Sequence, residues 1–334
     1  MRALPLVAIV LFACSESVAP PPKPPVDWAS FNRPQPIDAG RARATAKERM
    51  VASEYAQAFA SDGFRALVPL LAEDAHVTFA QKTALGRDKV VEMHQQIFGA
   101  FDHRVLTLRR VLFTDSEQAI AWTLTGVQAL DWEGIPATHK PIATRGIALV
   151  WTKDDGSIGD IHVYFDENVV KGQLGVGPPE LQSLPPPTVP TDAPRTVEQS
   201  GTPEEAANLM TLRGMVDALE DNKPAIYVGS VADDVTIETA EHAQPSKGKD
   251  AVRAYFDTMR KSIGQLDTLA QGGFGAGSWA VLEYSISGTQ LAPYERVPFV
   301  RGRAVRLHVV DVAEVHDGKV TDLVRYDDPA EVNQ

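Results

Sequence analysis

In the segment Asp154–Gly175, DDGSIGDIHVYFDENVVKGQLG, the side chains Asp160, His162, Tyr164 and Asp166 alternate with Ile161, Val163 and Phe165. An extended chain sends successive side chains to opposite faces, so one face of this strand is titratable and the other apolar. If the titratable face lines an enclosed space, His162 and Asp166 can exchange protons with a bound molecule. Burial there would also raise the Asp166 carboxyl toward a useful range. The same alternation arises if Ile161, Val163 and Phe165 fill the core and the polar face meets solvent or a second sheet. The strand pattern alone leaves both arrangements open.

A weaker copy, HDGKVTDLVRYDDPAEV, closes the chain and places Asp322, Val324, Tyr326 and Asp328 on the corresponding face. Valine stands where the first copy has histidine, so copy two reads as a binding or supporting unit. The repeat extends upstream: LLAEDAHVTF around Val77 matches GSVADDVTIE around Val235, and Gly86-Arg87-Asp88-Lys89 matches Gly248-Lys249-Asp250-Ala251. Solenoid units repeat every ~20 to 50 residues, so an offset of about 160 residues marks tandem domains.

The elements that must carry these strands follow from periodicity. Val51, Tyr55, Ala58 and Phe59 recur at helical spacing, and Phe64, Leu67, Val68, Leu70 and Leu71 make a shorter helix. Asp88 is placed to cap a third helix, and Thr202-Pro203-Glu204-Glu205 has the form of a capping box. Strand-forming sequence follows in each half: residues 104–114, 118–130, 142–152 and 157–166, then 279–289, 305–315 and 319–328. Helices first and strands afterwards argue an α+β fold, a curved antiparallel sheet wrapping N-terminal helices in each of two domains. The organisation read from composition is a leader at 1–14, a Pro-rich tether at 15–42, domains at 43–175 and 203–330, and a Pro-rich linker at 176–202.

The short strand holding EDAHVTF or DDVTIE, the Gly-x-Asp helix start and the closing strand together resemble the cone-shaped nuclear transport factor two-like superfamily. YFDENVVKGQLG resembles more narrowly the SnoaL-like polyketide cyclases; copy two stops at Asp328-Pro329 without the GQLG tail. The resemblance implies a small apolar, carbonyl-bearing ligand in the cone and a metal-free acid/base cyclisation or isomerisation, with Asp166 as the acid/base group and His162 beside it. Tyr164, Tyr55, Phe79, Trp122, Tyr326 and Asp328 are the expected ligand-lining residues. Steroid isomerases of the same superfamily need a carboxylate base where this chain has Phe79 in copy one and Thr239 in copy two. That chemistry is therefore disfavoured. Tyr55, Phe79 and Trp122 are equally consistent with ordinary packing. Non-catalytic carriage of a ligand, and an interaction module with an internal pseudo-dimer or homodimer, remain alternatives, since a short linker holds two domains at an effective concentration on the order of millimolar.

Other chemistries lack their residues. The eight histidines show no HxH or HxxxH spacing and the chain has one cysteine, so a zinc or iron site is open only to distant residues meeting in space, and neither a metal nor another cofactor is expected. QGGFGAGS at 271–278 has no following Lys-Ser/Thr and reads as a hairpin, and no GxSxG elbow is present. A net charge of −12 opposes nucleic-acid binding.

The first residues, MRALPLVAIVLFAC, put one positive charge before an apolar run far short of the ~20 residues a spanning helix needs. They resemble an export signal with a bacterial lipobox at Leu11–Cys14, which implies lipidation of Cys14 as the membrane contact. Ser15 after the cysteine is similar to lipoproteins sent to the outer membrane, facing the periplasm or the cell surface. Seven prolines between Ser15 and Asp38 favour extended, solvated backbone, as in a tether.

Overall fold

The computed structural model describes residues 46–79, 82–177, 179–239, 245–294 and 299–327. Cys14, the leader, the tether and Asp328 lie outside them. No helix among the described residues is long and apolar enough to cross a membrane.

The first lobe opens with α1 (Ala46–Ala58), which buries Val51, Ala52, Tyr55 and Ala58 at helical spacing. A 3₁₀ segment at 62–70 follows, then β1 (Leu71–Phe79), β2 (Lys82–Leu85) and α2 (Arg87–Phe98). Asp88 falls in the first turn of α2; the cap position belongs to Gly86, whose φ of 97° a side chain would strain. The long strands are β3 (Phe101–Phe113), β4 (Glu117–Gln128), β5 (Pro141–Thr152) and β6 (Ile158–Phe165), and α3 (Glu167–Leu174) closes the lobe. Within the linker, Arg195–Glu198 forms β7, so a proline-free stretch of β-formers adds an edge strand beside β3.

The second lobe repeats the plan with α4 (Pro203–Glu220), α5 (Pro224–Gly229), β8 (Val231–Glu238), β9 (Ser246–Lys247) and α6 (Gly248–Ser262). Its meander is β10 (Ile263–Ala276), β11 (Trp279–Gln290), β12 (Ala304–His316) and β13 (Lys319–Asp327). The capping box at Thr202 forms as expected: Glu205 N donates to Thr202 Oγ1 and Thr202 N donates to Glu205 Oε2. The glycine-rich segment is mostly the end of β10, paired with β11 up to Ala276 and Trp279. Gly275 allows close approach, since a Cβ there would come within 2.1 Å of the Glu205 carbonyl at the start of α4.

The strand orders are β2-β1-β6-β5-β4-β3-β7 and β10-β11-β12-β13-β8-β9. The α+β reading holds, but the sheets are mixed: β1 runs parallel to β6, β8 to β13 and β3 to β7. The meander brings the last strand back beside the first in the same direction, which no hairpin constrains.

Each sheet has two buried faces. The concave face of the first sheet wraps its helices around Tyr55, Phe59, Phe64, Phe98, Trp122, Val163 and Phe165. The other face packs against the second sheet through Leu112, Ala121, Ile147, Leu149 and Tyr164 on one side and Phe274, Trp279, Val281, Val310, Val324 and Tyr326 on the other. Basic groups of the first lobe meet acidic groups of the second around this seam. Arg145 pairs with Glu238 at 2.5 Å, Arg110 with Asp322 at 3.6 Å and Arg195 with Glu314 at 2.9 Å. The Arg110 guanidinium also lies 3.5 Å from the Trp279 ring centroid.

Candidate functional site

The first cone is filled by its own aromatic side chains. Phe59 and Phe98 have ring centroids 5.1 Å apart, Phe98 and Phe165 5.2 Å, and Phe79 and His94 5.0 Å. Tyr55, Phe79 and Trp122 belong to this packed cluster. Tyr55 Oη lies 3.2 Å from His94 Nε2, and His94 Nδ1 donates to the Val90 carbonyl at 2.8 Å, so the Tyr55 hydroxyl donates to Nε2. Burial lowers the His94 pKa to about 4 and raises Tyr55 far above its ordinary value; both are neutral.

The polar face of β6 does not enter this cone. Ile158, Ile161, Val163 and Phe165 point inward, whereas Asp160, His162 and Tyr164 point toward the second sheet. His162 Nδ1 meets Glu283 Oε1 at 2.6 Å, and the Tyr164 hydroxyl donates to the same oxygen. Burial would lower the His162 pKa, but hydrogen bonds and charges of Asp160 and Glu283 outweigh it and raise the value to about 9. Nearby, Glu117 keeps part of its surface exposed, yet desolvation and the Glu283 charge raise its carboxyl to about 8.

Asp166 is not on the strand, because β6 ends at Phe165 and the chain turns into α3. Its Oδ1 accepts from Asn168 N at 2.7 Å and Val169 N at 3.3 Å, while Gly175, at φ 90°, closes the other end of α3. DENVVKGQLG is thus a capped helix, and this explains the motif without acid/base chemistry. Period-2 counting assigned Asp166 to the Tyr164 face because it carried the strand one residue too far. Tyr326 is likewise turned to the seam between sheets, beside Arg109, Arg110, Arg145 and Glu238. The expected lining of one cone by His162, Tyr164, Asp166, Tyr55, Phe79 and Trp122 is therefore corrected to three separate environments.

The second cone has a different interior. Asp311 on β12 stands directly opposite Arg325 on β13, on the face away from Val310, Val312, Val324 and Tyr326. Arg325 Nε donates to Asp311 Oδ1 at 2.7 Å and Nη2 donates to Oδ2 at 2.6 Å; the side chains are 4% and 1% exposed. Tyr284 on β11 donates to Asp311 Oδ2 at 2.9 Å and accepts from Arg325 Nη2 at 2.8 Å. Arg325 Nη1 donates to the hydroxyl of Tyr255 on α6, a half-buried residue at the edge of this network. Tyr227 on α5 completes the ring, raised to about 12 by burial. Burial also opposes the Arg325 charge, but Asp311 outweighs it and holds the guanidinium protonated. In the first lobe the equivalent register pair is Ala148 and Val163, and Trp122 stands where Tyr284 does.

These five residues were not singled out from the sequence. The available signal was a charge on the face that copy one fills with Ile161, Val163 and Phe165, where copy two has Leu323, Arg325 and Asp327. The replacement of His162 by Val324 concerns the seam and is silent about the second cone. Spacing also missed that the parallel pairing of β1 with β6 sets His76 beside Asp160, two residues from His162.

Two curved mixed sheets closing over helices, repeated in tandem, define the nuclear transport factor two-like architecture. The profile of the SnoaL-like domain family matches residues 52–161 and again 212–323, and the chain belongs to that family through both lobes. Among solved structures, a protein designated a SnoaL-like polyketide cyclase from Jannaschia sp. CCS1 is 18% identical, with TM-score 0.35, covering 38% of this chain and 88% of its own. One designated a polyketide cyclase from Silicibacter sp. TM1040 is 22% identical, with TM-score 0.32 and coverages of 37% and 90%. An LEH-like epoxide hydrolase from M. tuberculosis is 17% identical, with TM-score 0.32 and coverages of 39% and 90%. No curated protein matches the chain.

Proposed function

We propose that this is an exported protein, lipid-anchored through Cys14, whose second SnoaL-like lobe takes a small apolar, carbonyl-bearing molecule against the Arg325–Asp311–Tyr284 network. The first lobe braces it. The observation that carries this reading is the buried Arg325–Asp311 pair, ringed by phenols, where copy one has the apolar pair Ala148 and Val163. Taking two charges out of water costs several kcal/mol per ion, and replacing such a pair by packed apolar residues is often neutral or stabilising. Structural need alone is a weak reason for it, whereas carbonyl chemistry uses each part: N–H and O–H donors polarise an oxygen and a carboxylate accepts a proton. Tyr255, half-buried at the edge, links the network to the surface.

The test is α-proton exchange of 1-tetralone in D₂O, followed by NMR with the full-length chain and with Asp311→Asn and Tyr255→Phe. The expected result is saturable exchange that falls by about 10²–10⁴ in Asp311→Asn, the usual worth of a positioned general base. Binding without exchange in the wild type would reduce the protein to a carrier. If the ketone neither binds nor exchanges, a carbonyl site in this cone is refuted.

A further inference from the structure

A second constellation lies on the opposite side of the first sheet, independent of the second cone. His76 on β1 and Asp160 and His162 on β6 share one face because the register sets His76 beside Asp160 and Thr78 beside His162. One ligand atom from each falls within 4.8 Å of the other two. His76 Nδ1 is 2.9 Å from Asp160 Oδ1, and His162 Nε2 is 3.6 Å from Asp160 Oδ2.

We propose that His76, Asp160 and His162 form a binding site for a divalent transition-metal ion of the zinc class. Zinc bonds to imidazole nitrogen and carboxylate oxygen at ~2.0–2.2 Å, which puts neighbouring ligand atoms roughly 3.3–3.6 Å apart. The His162–Asp160 separation already has that value. The three ligand atoms already lie within 4.8 Å of one another, so small side-chain rotations would close the set around an ion.

Two further features fit this use. Glu283, 3% exposed, faces His162 Nδ1 at 2.6 Å and also accepts from Tyr164, so Nδ1 donates to Glu283 and Nε2 is the nitrogen turned toward Asp160, where a bound ion would take the place of its proton. A carboxylate on the far nitrogen is the arrangement that fixes the tautomer of metal-bound histidines. Trp151 packs edge-on against the His162 ring, with centroids 4.7 Å apart, and restrains its rotation. The three candidate ligands keep 24% to 38% of their side-chain surface exposed, so an ion has an entry path and room for water in its remaining positions. Two imidazoles with one carboxylate select transition metals over calcium or magnesium, which prefer all-oxygen sets.

The experiment is competition for Zn²⁺ between the full-length chain and a chromophoric chelator, repeated with His76→Ala, His162→Ala and Glu283→Gln. The expectation is one zinc per chain, affinity lower by 100-fold or more in each histidine variant, and a loss of about 10- to 100-fold in Glu283→Gln. Co²⁺ should give visible d–d absorption with wild type and lose it with His76→Ala. His76 is one-third exposed, so its removal leaves the fold intact even if His162→Ala loosens the seam. Zinc affinity unchanged in His76→Ala, or no stoichiometric zinc in wild type, overturns the proposal.

Discussion

The filled first cone makes His94 a sharp probe, because a histidine in a wet pocket would titrate near its ordinary value. Here burial lowers the pKa from 6.5 to about 4. The unfolded chain therefore binds a proton between these values that the folded chain refuses, so stability falls as pH drops through the window. A displacement of about 2.5 pH units at ~1.36 kcal/mol each is worth roughly 3 kcal/mol once both states are protonated. Linkage gives roughly 1 kcal/mol of this by pH 5.5 and roughly 2–3 by pH 4.5. Carboxylates titrate in the same range, so the comparison is with His94→Phe, which keeps an aromatic ring among Phe59, Phe64 and Phe79 and removes the titrating group. That variant loses an acceptor for Tyr55 and starts about 1–3 kcal/mol less stable at pH 7.5. Its stability should then decline less steeply on acidification, with the difference between the two proteins moving in the variant's favour by roughly 2–3 kcal/mol at pH 4.5. Urea unfolding at each pH measures the gap, and ring resonances of His94 follow the titration directly. Parallel pH profiles, or a His94 that titrates near 6.5, would refute a sealed aromatic interior.

The remaining expectations concern the second cone, the α3 cap and the seam. Arg325→Met should cost about 3–5 kcal/mol by leaving Asp311 charged and unpaired, while adding Asp311→Leu should restore most of it; urea midpoints of the single and double variants decide. Asp166→Ala should cost about 0.5–2 kcal/mol and speed amide exchange at Asn168 and Val169; unaltered exchange there would show that the cap does not hold α3. Trp279→Ala removes a ring buried between the sheets and stacked on Arg110, and should cost about 3–5 kcal/mol. Calorimetry should then show two unfolding transitions, one per lobe, and a single unshifted transition would count against the seam as a source of coupling.

Much of the architecture was legible because it rests on local rules. The 160-residue repeat, the helix of Val51 and Tyr55, the capping box at Thr202 and the long strands each depend on periodicity or on side chains a few residues apart. Those signals survive without any knowledge of partners. The alternation of Asp160, His162 and Tyr164 was equally visible, but its direction was not. A strand pattern states that two faces differ and leaves open which one looks inward, and here two sheets compete to bury opposite faces of the same strand. Only the tertiary structure turned the imidazole of His162 toward Glu283, 121 residues away, and set Asp311 across from Arg325 in one register. Local patterns in the chain dictated which segments became helix or strand. Contacts between residues far apart in sequence decided where the charges ended up, because the cost of burying each one depends on the partner that folding brings to it.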